Sequence, residues 1–225
     1  MATIRPKECS AEEISKCRWA QRRLRRLLEE EQALKKRLST IPTPEDWLMH
    51  YYQIKQRLGH LGYIDGDEIL VRGELASEIN FQEILITEFV FAGLLDELTV
   101  AEISAVLIGV DYNARYCDFV SRMSIPAIRK YVTIADELKS DPILGKSIVY
   151  SPQLAPLGYA WASGEDFNNL MELTTIEEGD VVSQLRRTVD VLRQLRKALG
   201  NQPFWGEKLA QCLETMERDI VKVEL

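Results

Sequence analysis

The first strong pattern along the chain is a narrow line of apolar residues in a long, highly charged segment. Ser10 and Glu13 form a capping box, which opens a helix. No glycine or proline follows until Pro42, so the pattern predicts one helix over residues 10–38, roughly 40 Å long. Its apolar residues are Ile14, Cys17, Leu24, Leu27, Leu28, Leu34 and Leu38. A strip this narrow favours packing against one partner helix rather than a globular core.

Residues 44–80 combine a helix with strand and turn signals. The helix is predicted to run to about Leu61 and to end at Gly62, before a tight turn at DGDE (residues 65–68). ILVR (residues 69–72) has the alternation of a short strand, and Gly73 is expected to turn the chain back. Helix, turn, small strand and return are typical of the recognition helix and wing of a winged helix. The segment therefore predicts the second half of such a fold.

The rest of the chain predicts a bundle of helices. FQEILITEFVFAGLLDEL (residues 81–98) is apolar on nearly every side, which is typical of a buried central helix. Thr99 and Glu102 form a second capping box, opening a helix to about Val110. Four further segments are predicted to be helical, residues 125–138, 165–174, 177–199 and 204–225, and residues 151–164 are predicted to end in a compact aromatic helix. The predicted fold class is mainly α, with a projecting helix at 1–42, half a winged helix with a small β wing at 44–80, and a helical bundle at 81–225.

Composition and charge bound the function. The 225 residues are 46% hydrophobic and 28% charged, enough for one or two domains with a real core. The net charge of −7 is uneven, at +5 over residues 1–60 and −12 over residues 61–225. This asymmetry argues against a uniformly basic nucleic-acid binder and allows local basic surfaces on an acidic body.

Other sequence features predict a soluble, intracellular chain. No run of about eighteen apolar residues occurs, so no membrane partner is expected, and the first residues lack the hydrophobic core of a signal peptide. Four cysteines lie far apart without a C-x-x-C pair, which favours reduced thiols and argues against a zinc site.

No active site is predicted within the chain. Neither a phosphate-binding G-x-x-x-x-G-K-[ST] loop nor a G-x-G-x-x-G turn occurs. His50 and His60 lie in one helical segment among apolar and aromatic neighbours, where packing or surface roles are expected. We therefore expect no catalytic residue, no metal site and no cofactor in this chain.

The helix predicted over residues 177–199 carries the candidate chemistry. Its core stripe is Val182, Leu185, Val189, Leu192 and Leu199. Its second face holds Arg186, Asp190, Arg193 and Lys197, with Arg187 and Arg196 alongside. Spacing alone favours a solvated face helped by an i,i+4 arginine–aspartate pair. The alternative is a surface for a phosphate backbone, with arginine also stacking on an unpaired base.

Several short motifs resemble one known family, in the same order and spacing. They are L-G-Y-I-D (residues 61–65), R-G (72–73), A-S-E-I (76–79), T-E (87–88), W-x-x-G-x-x-F (161–167), T-x-x-x-E-G (174–179), R-R (186–187) and R-D-I-V (218–221). Together they resemble the C-terminal region, called DSHCT, of the Ski-like, or superkiller-type, DExH-box RNA helicases. The resemblance covers about residue 55 to the end and is weakest over residues 116–149.

The resemblance implies an architecture and a set of partners. In these helicases two motor domains hydrolyse ATP with magnesium, a winged helix interrupted by a helical stalk follows, and a helical bundle closes over the RNA channel. Residues 1–42 would then belong to the returning stalk. The motor domains are absent from this chain, so we expect no ATP hydrolysis by it alone. The implied partners are single-stranded RNA, helicase motor domains in cis or in trans, and an RNA-decay nuclease complex.

The resemblance also implies binding residues. An arginine of the family's R-R pair contacts single-stranded RNA leaving the motor, which falls on Arg187 with Arg186 beside it. A second family contact, acidic there, falls on Ala114 with Arg115 next, so the sequence departs from the pattern at that point. Arg115, as the neighbour of that position, and Arg193, as either supporting charge or solvated surface, complete the predicted RNA-binding set.

Three interpretations of function follow. The first is the RNA-guiding C-terminal portion of a Ski-like helicase that moves 3′ to 5′ and supports RNA processing or decay. The second is a stand-alone protein-interaction module in which the arginines pair with carboxylates. The third keeps the fold without an activity, as the product of a truncated gene.

Overall fold

The structure, a computed structural model, describes residues 10–222 and divides the chain into two compact units, residues 1–52 and 53–225. The described residues form eleven α-helices and one two-stranded antiparallel sheet. The predicted fold class, mainly α, is confirmed. None of the described helices is both long enough and apolar enough to cross a bilayer.

The first unit contains helix α1, Ala11–Leu38, where the sequence predicts it. The Glu13 amide donates to Ser10 Oγ at 3.3 Å and the Ser10 amide donates to Glu13 Oε2 at 2.8 Å, so the capping box is formed. Every described side chain of α1 is exposed; Ile14, named in the predicted apolar strip, lies outside the described side chains. Helix α2, Pro44–His60, begins at a second reciprocal cap, made by Thr43 and Asp46.

The second unit contains a hairpin smaller than the predicted wing. Strands β1 (Ile64–Asp65) and β2 (Glu68–Ile69) pair antiparallel around Gly66, whose φ of 60° suits glycine. Of the strand predicted over residues 69–72, only Ile69 is in a strand, because helix α3, Val71–Ser77, begins two residues later. Gly73 lies inside α3 and does not turn the chain. A Cβ at this position would collide with the carbonyl oxygen of Tyr63, so close packing requires the glycine.

The central helix predicted over residues 81–98 is two helices. Helix α4 (Glu83–Phe91) and helix α5 (Leu94–Glu97) are separated by Gly93, whose φ of 92° breaks the helix. Six of the nine α4 residues are buried, as the pattern predicts. Helix α6 (Val100–Leu107) starts at the predicted Thr99 capping box and ends before Val110.

The remaining helices lie close to their predicted positions, except that the last one ends at Met216 and not near residue 225. They are α7 (Arg129–Lys139), α8 (Ala155–Ala162), α9 (Phe167–Glu172), α10 (Glu178–Leu199) and α11 (Pro203–Met216). Gly158 lets α8 approach α6 closely, since a Cβ there would lie 2.5 Å from the Ser104 oxygen. Trp161 is fully buried and its indole donates to the Met216 oxygen at 2.9 Å. Helix α10 packs against α6 and α11, and these two helices pack in turn against α8, so the core holds α10 in place.

The segment between α6 and α7, which includes part of the stretch where the family resemblance is weakest, is irregular. Val110 bridges to Tyr150 and Val120 bridges to Thr174, so isolated backbone pairings hold it in place of regular elements. Asp118 accepts hydrogen bonds from the Tyr112 hydroxyl at 2.7 Å and from the Arg115 amide at 2.8 Å. Burial opposes ionisation of Asp118, but these hydrogen bonds and the Arg115 charge outweigh it and lower its pKa.

Candidate functional site

Helix α10 buries a wider face than the sequence predicts. Leu185, Val189 and Leu192 are buried as expected, whereas Val182 and Leu199 lie half-buried at the edges of the stripe. Polar Gln184 and Thr188 are also buried. A periodicity count treats polar residues as surface, so it could not place these two in the core.

Gln184 and Arg187, one turn apart on α10, bind the segment that directly follows helix α6. Gln184 Nε2 donates to the carbonyl oxygens of Ile108 and Val110, each at 2.8 Å, and Arg187 Nη1 donates to the Asp111 carbonyl at 2.8 Å. The last carbonyls of a helix lack partners within it. Because α10 supplies these donors, it is held against the chain reversal at residues 108–111.

Among the contacts that the described residues make, Arg187 is anchored through Nη1 alone. Besides the Asp111 carbonyl, Nη1 contacts Asp111 Oδ2 at 2.5 Å, and the guanidinium carbon lies 5.8 Å from the centre of the Phe81 ring. Within residues 10–222, Nε and Nη2 make no hydrogen bond. The Nε–Nη2 edge, which can bind phosphate or carboxylate in a bidentate manner, is therefore available. The side chain is 38% exposed, so a ligand can reach it.

This guanidinium lines an open cavity of about 940 Å³, which we call the Arg187 pocket. Its lining residues are Phe81, Asp111, Phe167, Glu178, Gly179, Val182, Ser183, Arg186, Arg187, Asp190 and Ile220. Two arginines and three carboxylates give the lining a formal charge of −1. That balance is wrong for a simple phosphate clamp. Two half-buried phenylalanines in the lining, of which Phe81 has its ring 5.8 Å from the guanidinium carbon, suit a flat, unpaired base better.

Backbone strain is concentrated around the same pocket. Between residues 10 and 222, three non-glycine residues have positive φ: Gln82 at 49°, Asp111 at 57° and Asp219 at 47°. Asp111 lines the pocket, and the other two adjoin its lining residues Phe81 and Ile220. Such conformations cost about 1–3 kcal/mol each and cluster at functional sites. The backbone thus marks this pocket independently of the sequence motifs.

Arg186 also lines the pocket, but its side chain is already hydrogen-bonded to the backbone. Arg186 Nη2 donates to the Ile220 oxygen at 2.7 Å and so holds the C-terminal segment against α10. The expected i,i+4 pair with Asp190 is not formed. Asp190 instead faces Arg193, at 3.3 Å.

The other two predicted RNA-binding residues do not line the Arg187 pocket. Arg193 pairs with Glu217 at 2.7 Å, and Arg115 pairs with Asp118 at 3.1 Å and with Asp180 at 2.8 Å. These contacts tie neighbouring segments of the bundle together. An RNA contact by Arg115 or Arg193 stays a prediction.

Sequence reasoning missed Asp111 and Phe81 as site residues. The register placed an acidic position at Ala114, whereas the carboxylate beside Arg187 comes from Asp111, three residues earlier. The available signal was an aspartate directly after a helix end, where aspartate tolerates the left-handed conformation. Phe81 was hidden because it begins an apolar run that predicts only core.

The rest of the described chain offers no obvious chemistry of another kind. Across residues 10–222 no three His, Cys, Asp or Glu side chains come together as a metal-binding group. His50 and His60 are exposed. Cys17, Cys117 and Cys212 are free thiols, and Cys9 lies outside the described residues.

Comparison with known proteins matches residues 66–224 to the DSHCT (NUC185) domain family. The chain is 28% identical over 182 residues to mRNA transport homolog 4 of Caenorhabditis elegans, covering 74% of this chain and 18% of that protein. It is 27% identical over 214 residues to the ATP-dependent RNA helicase mtr4 of Schizosaccharomyces pombe, covering 87% and 19%. It is 28% identical over 188 residues to human Superkiller complex protein 2, covering 77% and 15%.

The chain spans less than a fifth of the length of these relatives. The matched segment contains α3 to α11 and all the residues of the Arg187 pocket. The chain therefore belongs to the DSHCT domain family and corresponds to the C-terminal region of Ski-like DExH-box RNA helicases, as its motifs predict.

Proposed function

We propose that this chain is the RNA-guiding C-terminal part of a Ski-like ATP-dependent RNA helicase that acts in RNA processing or decay. In this proposal the Arg187 pocket binds single-stranded RNA. One observation carries it: Arg187 is fixed by Asp111 at Nη1, its Nε and Nη2 make no hydrogen bond to residues 10–222, and its side chain lines a pocket that also contains two phenylalanines. The membership of the DSHCT family supports it.

The chemistry of the pocket suits one or two nucleotides rather than a long phosphate track. A base stacked on an aromatic ring contributes about 1–3 kcal/mol, with little dependence on its sequence. A guanidinium edge adds a bidentate contact to a phosphate or a base. Since the lining is nearly neutral, the pocket holds RNA weakly, as a passive wall between ATP-driven steps requires.

The parent architecture belongs to the same proposal. Residues 1–42 would form part of a returning stalk, residues 44–80 the second half of a winged helix, and residues 81–225 the bundle. The exposed α1 and the small hairpin support the first two assignments. Motor domains in cis or in trans would supply ATP hydrolysis with magnesium, and a nuclease complex would receive the RNA.

The test is a titration of the full chain against a fluorescently labelled single-stranded RNA at two salt concentrations. Arg187→Gln keeps an amide that can donate to the Asp111 carbonyl, as Gln184 does to its own partners, but removes the charged fork. Arg196→Gln is the matched control, because Arg196 is exposed on the same helix and does not line the pocket.

We expect Arg187→Gln to weaken binding at least five-fold, about 1 kcal/mol, because it removes a charge-assisted contact. Arg196→Gln should change it less than two-fold. Equal affinities of the wild type and Arg187→Gln, with both folded by circular dichroism, would refute the assignment of Arg187. No RNA binding at low salt would refute the pocket as an RNA site.

A second candidate function, protein interaction, rests on helix α1. Leu24, Leu27, Leu28 and Leu34 of the predicted apolar strip are each 49–59% exposed, and exposed apolar surface at helical spacing marks interaction sites. A partner helix packed along this strip would bury it. Replacing Leu24 and Leu27 together with serine should abolish partner binding and leave RNA affinity unchanged if the two functions are separate.

A further inference from the structure

We infer that Asp111 is an internal competitor for Arg187, which sets the affinity and the salt response of the RNA site. The inference rests on the proposed RNA site and goes beyond it. Asp111 is not the acidic position that the family motif predicts, since that position holds Ala114 here. The role follows from the geometry of this chain alone.

The Asp111 carboxylate holds Nη1 and balances the charge of the guanidinium whose Nε–Nη2 edge is left for RNA. Its Oδ2 lies 2.5 Å from Arg187 Nη1, within the range of a charge-assisted hydrogen bond. Arg187 is 38% exposed and Asp111 33% exposed, so the pair stands at the surface of the pocket. A phosphate that approaches the guanidinium meets a cation whose charge is already balanced.

Contacts with Val149 and Gln82 hold Asp111 in place. The Asp111 amide donates to the Val149 oxygen at 2.9 Å, and Gln82 Nε2 lies 3.4 Å from Asp111 Oδ1. Gln82 in turn binds the Ser147 oxygen and the Val149 amide, both at 2.9 Å. The carboxylate is therefore fixed by the backbone at residues 147–149 and cannot move away from Arg187 at little cost.

The pairing of Arg187 with Asp111 should be measurable in the salt dependence of RNA binding. A protein that neutralises one phosphate of a single strand makes the slope of log K against log salt more negative by about 0.7. An arginine already paired with a carboxylate contributes little to this slope. Removing the carboxylate charge should restore that contribution and strengthen binding at low salt.

Asp111→Asn isolates the charge. Asparagine tolerates the left-handed conformation, and the Arg187 contact to the residue 111 carbonyl does not depend on the side chain. Asp190→Asn is the matched control, since Asp190 lines the same pocket but pairs with Arg193. Both variants should unfold within a few degrees of the wild type.

We expect Asp111→Asn to bind single-stranded RNA about three- to ten-fold more tightly at low salt, because a carboxylate next to the phosphate is removed. Its salt slope should become more negative by about 0.7. The Asp111→Asn/Arg187→Gln double variant should match Arg187→Gln alone. Asp190→Asn should give a smaller gain that persists when Arg187 is replaced.

The outcomes separate this inference from the proposed function. If Arg187→Gln weakens binding and Asp111→Asn leaves it unchanged or weakens it, Asp111 only positions Arg187, and the competitor role is wrong while the RNA site stands. If Arg187→Gln has no effect, both the RNA contact and the competition fail. A gain in Asp111→Asn that survives in the double variant would mean that the carboxylate repels RNA without acting through Arg187.

Discussion

Helices α1 and α10 have similar patterns of charged and apolar residues but very different environments. Both are long, rich in arginine and carry apolar residues at helical spacing, with 28 residues in α1 and 22 in α10. Every described side chain of α1 is exposed, whereas eight residues of α10 are buried. The amphipathic pattern is thus sufficient for a helix, but the neighbouring elements decide whether its apolar face becomes core.

The arginines of the two helices differ for the same reason. Arg26 pairs with Glu30 at 3.0 Å along α1, an exposed pair that contributes less than about 1 kcal/mol. On α10, Arg187, Arg186 and Arg193 each contact a residue from another part of the bundle. A basic helix face acquires a specific role only where another segment fixes its side chains.

The sharpest way to break this comparison is to truncate one leucine on each helix. Leu192 is fully buried in α10, so Leu192→Ala should lower the free energy of unfolding by about 2–5 kcal/mol. Leu24 is 59% exposed in α1, so Leu24→Ala should change it by less than about 0.5 kcal/mol. Urea unfolding of the full chain, followed by circular dichroism, measures both. Equal losses would show that α1 is buried in solution.

A smaller difference in the free energy of unfolding is expected when one glutamine on each of the two helices is replaced by alanine. Gln184→Ala leaves the buried carbonyls of Ile108 and Val110 without their donor and should cost about 1–3 kcal/mol. Gln21, exposed on α1, is the matched control, and Gln21→Ala should be neutral within about 0.5 kcal/mol. A neutral Gln184→Ala would mean that α10 is not held to the end of α6 through this side chain.

The smallest difference between the two regions should appear in how their carboxylates make stability depend on pH. Hydrogen bonds from the Ser10 amide and hydroxyl lower the pKa of Glu13 on exposed α1, but little stability depends on it. The lowered pKa of Asp118 in the bundle stabilises the fold above the unfolded pKa of about 4, and this contribution is lost as the pH falls through the folded pKa.

Thermal unfolding between pH 7 and pH 2 tests this difference. Asp118→Asn should be less stable than the wild type at pH 7 and should lose less stability between pH 5 and pH 2. Glu13→Gln should follow the wild-type profile. An Asp118→Asn profile parallel to that of the wild type would contradict the role of the ionised Asp118.

The sequence predicts those parts of the fold that depend on local chemistry. Both capping boxes, at Ser10 and Thr99, form as predicted, because their hydrogen bonds join residues three apart. The break at Gly93 and the helical position of Gly73 were not predicted. One depends on a backbone conformation and the other on contact with Tyr63, and neither changes the hydrophobic pattern.

The candidate site was predictable only in part. The R-R motif and its family resemblance indicated Arg187, and the structure places this residue in a strained, aromatic pocket. Asp111 and Phe81, respectively 76 and 106 residues away in the chain, escaped prediction. No local pattern connects residues so far apart.

The sequence by itself determined the helical class, the two capped helix starts at Ser10 and Thr99 and the family, because these depend on local hydrogen bonding, periodicity and short motifs. Only the tertiary structure decided which cations are engaged and by what. Packing of α10 against the end of α6 brings Asp111 to Arg187, and long-range packing sets the charge that a ligand meets. A formally basic helix face therefore lines a pocket whose charges are nearly balanced.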